Sequence, residues 1–104
     1  MKRIKLALFN SPDYFYTIPL EGVLYKIRIY YNERMKWWMI DLRKANNDPI
    51  VLGQRLSPLY PLFENYNIEG MTGWFFLSPK GKYKNETISN PLSIHKYYNF
   101  YYYF

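Results

Sequence analysis

Cysteine is missing from this 104-residue chain, and histidine occurs once. Without thiols, neither a disulfide framework nor a thiolate metal site can form. The single histidine, His95, leaves a nucleophile–histidine dyad with one possible base and no motif to frame it. Acidic residues are sparse, eight Asp and Glu against fourteen Lys and Arg, for a net charge of +6. Asp13, Glu21, Glu33, Asp48, Glu64, Glu69 and Glu86 sit mostly in turn-rich stretches, where they do turn and solubility work. Glycine-rich phosphate loops, metal-ligand spacings and cofactor fingerprints are absent, so no cofactor and no metal is expected and the chain reads as a non-enzyme. Long apolar runs are lacking too. The basic start Met1-Lys2-Arg3 leads only to the four-residue apolar stretch Leu6 to Phe9. A secretory core needs roughly 7–15 apolar residues and a membrane span about 20, so no membrane segment is expected.

What the chain has in abundance is aromatic side chains, 22% of residues, 13 of them tyrosines. A single domain of this length has a real but modest core, too small for all of them. Several must face outward, where Tyr and Trp typically mark interfaces. The positive charge suits an acidic partner, and it also serves to keep a tyrosine-rich surface soluble.

The apolar residues alternate with period two, the signature of half-buried strands. Tyr25, Ile27, Ile29 and Tyr31 share one face, with Lys26, Arg28 and Tyr30 on the other. After Asn32-Glu33-Arg34-Met35 the pattern resumes, with Trp38, Ile40 and Leu42 inward and Trp37, Met39, Asp41 and Arg43 outward. Pairing Tyr31 with Lys36 makes a hairpin in which Ile29 meets Trp38, Ile27 meets Ile40 and Tyr25 meets Leu42. That register also sets Lys26 against Asp41, the one carboxylate in mid-strand, as a favourable cross-strand pair.

Other strands are expected around this hairpin. Ile4, Leu6 and Leu8 alternate in a first strand, and Tyr14, Tyr16, Ile18 and Leu20 line the inner face of a second. Glu21-Gly22 joins that strand to the hairpin as a two-residue turn, although Glu is a poor residue for the first position of a type I′ turn. Pro19 cannot donate to a ladder, which puts its strand at an edge. A strand over Ile50 to Leu56 should bulge or bend at Gly53. Ser57 to Phe63, with two prolines, reads as an irregular segment or a single helical turn plugging one end of a barrel. Gly70 to Leu77 is apolar on both faces, hence central or covered by a partner. Lys84 to Pro91 reads as a polar loop, and the Asn85-Glu86-Thr87 sequon within it carries no meaning without secretion. Ile94 to Phe104 has the composition of a last strand, with His95 on it. The fold class is all-β, a small antiparallel β-barrel or sandwich of hairpins, and residues 1–104 form one domain.

The run Leu20-x-Gly22-x-x-Tyr25-x-Ile27-x-Ile29-x-Tyr31-Asn32, then Trp38-x-Ile40-Asp41-Leu42, then Asp48-Pro49-Ile50 and Gly53-x-x-Leu56, resembles the baseplate plug proteins of contractile-tailed phages. Those are small β-rich virion proteins, typified by the plug of a cyanophage baseplate. The resemblance is strongest over residues 14–77. It departs at Glu21, where the family has a turn aspartate, and at Asn47-Asp48, where glycine is common. It implies a structural hub or plug subunit of a contractile tail or related injection system, part of a multi-subunit assembly with other baseplate and tail-hub proteins. It also implies residence in the virion, after assembly in the host cytoplasm. From the aromatic excess, the expected contact residues are Arg28, Tyr30, Trp37 and Met39, with Tyr101, Tyr102, Tyr103 and Phe104. The alternative is a single-stranded nucleic-acid-binding β-barrel using Lys26, Arg28, Tyr30 and Trp37 for phosphates and base stacking.

Overall fold

A computed structural model describes residues 2–64, 66–81 and 94–104, and among these residues there are seven strands and one helical turn. In chain order they are β1 (Arg3–Leu6), β2 (Asp13–Leu20), β3 (Val23–Asn32), β4 (Trp37–Lys44), β5 (Pro49–Arg55), β6 (Trp74–Pro79), α1 (Ile94–Tyr97) and β7 (Tyr98–Tyr103). Two antiparallel sheets form, ordered β2-β3-β4-β5 and β1-β7-β6. Among the described residues no ladder joins them, so the all-β expectation holds as a sandwich and not as a closed barrel. The inner faces share one core, with Ile27, Ile29, Trp38, Ile40 and Leu42 from one sheet and Leu6, Phe75, Leu77, Phe100 and Tyr102 from the other. Each of these alternates with an outward residue along its strand, as two-sheet packing requires.

The central hairpin forms with the faces read from the pattern, but its pairing is displaced by two residues. Ile29 meets Ile40 and Ile27 meets Leu42, while Tyr31 takes Trp38 as partner. The strands run on to Asn32 and Trp37, leaving Glu33 to Lys36 as the loop. The Asn32 side chain accepts the Met35 amide at 3.0 Å, and Lys36 adopts a left-handed φ of 62°. Asn is well suited to such turn capping, which explains why the turn starts one residue late. Because two residues is one full side-chain period, the slip keeps Trp38 inside. It does overturn the Lys26–Asp41 pair. Lys26 faces Arg43, and Asp41 faces Arg28.

Edges follow the proline and glycine cues. β2 is an edge strand, with Pro19 on it, and Glu21-Gly22 is a two-residue turn with both φ positive, at 53° and 82°. The β4–β5 ladder shifts between Ile40 and Leu42, and Gly53 stands in the shift with φ 69°, the bulge anticipated there.

Three expectations need correction in whole or in part. Ser57 to Phe63 is the irregular segment of the two alternatives and not a helical turn, and it plugs no barrel. It runs beside β6, with Pro58 bridging Leu77 and Leu62 bridging Phe75. Of the two alternatives for β6, the central position falls, since β6 is an edge strand, and this segment takes up part of its free backbone. The last strand starts at Tyr98, because Ile94–Tyr97 winds into α1, and so His95 lies on a helical turn and not on a strand. Lys84 to Pro91, with its sequon, lies outside the described residues.

Candidate interaction site

Register decides which outward side chains become neighbours. On the four-stranded sheet, Asp13, Tyr30, Met39 and Arg55 form one cross-strand row, and Phe15, Arg28 and Asp41 form the next. Arg28 is the centre. Its Nε and Nη2 donate to the two carboxylate oxygens of Asp13 at 2.9 and 2.6 Å, and its guanidinium lies 4.1 Å from the Tyr30 ring centroid. That fork holds the Asp13 carboxyl below its ordinary value. Trp37 donates its indole N–H to Met39 Sδ at 2.9 Å, and Arg55 covers its ring at 4.5 Å. The structure thus brings Arg28, Tyr30, Trp37 and Met39 onto one face. It adds Phe15, which is 66% exposed and was legible from the alternation of β2.

Asp41 behaves differently from any surface carboxylate. It is buried, accepting the Gly53 amide at 2.7 Å and the Tyr30 hydroxyl at 3.2 Å, with Arg28 3.8 Å away. The bulge at Gly53 leaves an amide without a ladder partner, and Asp41 supplies one. Burial is repaid here because the carboxylate is hydrogen-bonded as well as paired. Lys26 and Arg43, which pair as like charges, both turn to Asn47, donating to its Oδ1 at 2.6 Å and its carbonyl at 3.0 Å. Asn47 itself has φ 78°, a conformation that Asn tolerates where glycine is the usual choice.

The second set divides by strand alternation. Tyr101 and Tyr103 point outward from β7, but Tyr102 is fully buried and cannot serve as a contact residue. Phe104 is half-buried and stacks on Tyr102 at 5.6 Å. Tyr102 has another task. Its hydroxyl donates to the Glu21 carboxylate and accepts the Gly73 amide at 3.1 Å, while Thr72 N–H donates to Glu21 at 2.8 Å. Glu21 thus ties the β2–β3 turn to the other sheet, which accounts for an awkward turn residue. Desolvation alone would raise its carboxyl, but the donations from Thr72 and Tyr102 outweigh that and leave it below its ordinary value. Burial, then the hydrogen bond to Glu21, push the Tyr102 phenol up.

Among the described residues, no group of three or more His, Asp or Glu is placed to hold a metal ion, and no helix is long and apolar enough to cross a membrane. Fold and faces together define a small antiparallel β-sandwich with aromatic, largely basic outer surfaces.

The family is narrower than that class. Residues 1–103 match the family described as the cyanophage baseplate Pam3 plug gp18, and the chain belongs to this family of baseplate plug proteins. It is a structural component of the virion, found at the tail baseplate and part of the phage baseplate assembly. No curated protein matches.

Proposed function

We propose that the chain is a hub or plug subunit of a contractile tail or related injection system, without catalytic activity, assembled in the host cytoplasm and held among neighbouring tail proteins by both outward sheet faces. Arg28, Tyr30, Trp37 and Met39 supply one contact face, and Tyr101, Tyr103 and Phe104 contribute to the other. The carrying observation is that the aromatic side chains exceed what the core absorbs: Phe15, Tyr60 and Tyr66 are exposed, and Trp37, Trp74, Tyr101 and Tyr103 are only half-buried. Large aromatic surface of this kind supports an interface role, since Trp, Tyr and Arg most often anchor interfaces. The nucleic-acid reading is less well supported, because Asp13 engages Arg28 and Arg55 lies over the Trp37 ring. Base stacking needs open ring faces.

Trp37→Ala tests the proposal. The expected result is reduced incorporation into sedimenting tail particles, with a small change in melting of the isolated domain. A tail structure in which Trp37 and the β7 face point to water would sink the reading.

A further inference from the structure

The outward face of the β1-β7-β6 sheet is built from two cross-strand rows, Arg3–Tyr103–Trp74 and Lys5–Tyr101–Phe76. It grades from basic at the β1 edge, through tyrosine, to fully aromatic at the β6 edge. No Asp or Glu occurs in any of these three strands, nor in α1. The four-stranded sheet differs in that its outer face carries Asp13 and Asp41, which pair with Arg28, while Lys26 and Arg43 turn to Asn47 and Arg55 lies over Trp37. Among the described residues, neither Arg3 nor Lys5 has a carboxylate within ion-pair distance, the ion pairs being those of Arg28. One face of the sandwich mixes carboxylates among its cations, and the other, among the described residues, sets its cations among aromatic rings alone.

We infer that the β1-β7-β6 face docks on a carboxylate-rich surface of a neighbouring protein, Arg3 and Lys5 meeting its acidic side chains and Trp74, Phe76 and Tyr103 covering its apolar centre. The inference rests on the tail-assembly role proposed above. Charge complementarity selects the partner's sign and steers its approach. The arrangement of the rings selects protein over single-stranded nucleic acid. Arg3 lies over Tyr101 at 4.4 Å, and Tyr103 is flanked by Trp74 at 6.1 Å, Phe76 at 6.1 Å and Tyr101 at 6.0 Å. Rings this close cover part of one another's faces, which leaves less open ring for a base to stack on and suits contact with carboxylates and apolar side chains.

The test uses the full chain and two labelled probes, poly-L-glutamate and an oligo-dT of matched charge, with anisotropy as the readout. Poly-L-glutamate should bind the wild type, more weakly as salt rises. Arg3→Glu with Lys5→Glu should lower that affinity on the order of tenfold, and Arg3→Gln with Lys5→Gln by less but in the same direction. Lys26→Glu with Arg43→Glu, on the other sheet, should leave it within about twofold. Equal losses in both charge-reversed pairs, or tighter binding of oligo-dT than of poly-L-glutamate, would overturn the inference. In tail assembly, Arg3→Glu with Lys5→Glu should impair incorporation as Trp37→Ala does. Normal incorporation of that variant beside a defective Trp37→Ala would refute the acidic docking surface and leave the assembly role standing. A wild-type chain that never sediments with tails would remove the assembly role itself.

Discussion

Trp37 and Trp38 are adjacent in sequence and opposite in fate. Trp38 is buried to 0% exposure, and Trp37 lies half-covered on the outer face. Trp38→Ala should cost about 3–5 kcal/mol in chemical denaturation. The indole N–H of Trp38 has no hydrogen-bond partner among the described residues, so part of its burial is unfavourable. Trp38→Phe should therefore cost far less than the alanine change, because it removes a donor that is already unpaired. Asp41 shows the converse, a buried polar group with its partners in place. Asp41→Ala leaves the Gly53 amide bare and should cost about 2–4 kcal/mol, whereas Asp41→Asn keeps an acceptor there and should retain most of the stability. If Asn proves as damaging as Ala, the Arg28 charge matters more than the amide. Period-two alternation separated the two tryptophans without help. It could not find the task of Asp41, because a register and its two-residue slip bury the same side chains and differ only in who sits across the ladder.

At the level of elements, local sequence cues were good at turns and edges and blind to partners distant in the chain. Pro19 and Gly53 marked an edge and a bulge correctly, since each acts through its own backbone. Glu21 looked misplaced because its justification, Thr72 and Tyr102, lies 51 and 81 residues away. The apolar β6 looked central or covered by a partner, and nothing in its own letters reveals that Pro58 and Leu62 run along its edge. The Glu21 link makes a pH prediction. Its folded value is depressed, so its contribution is fully present above the unfolded carboxylate value and is lost as pH falls through the folded one. Glu21→Gln should lower the melting temperature at neutral pH, and its difference from wild type should shrink below about pH 4. A difference that is constant from pH 3 to 7 would mean that the hydrogen-bond geometry counts and the charge does not.

At the scale of the whole molecule, the two sheets are assembled from the chain in different ways. The β2-β3-β4-β5 sheet joins strands that follow one another, so each can find its neighbour across a short turn. The β1-β7-β6 sheet does the reverse. Residues 3–6 pair with residues 100–103, and β7 is also the strand that pairs with β6. Contacts of such long sequence separation are slow to close. In stopped-flow refolding, Ile27→Val should slow folding, whereas Phe100→Leu should act mainly by speeding unfolding. Comparable slowing by both would contradict this order. For a chain emerging from the ribosome, the asymmetry has a cost in time. Leu6, Phe75 and Leu77 lack their β7 neighbours until that strand has been made, and the half-synthesised protein is the species with most to lose from crowding against its own kind.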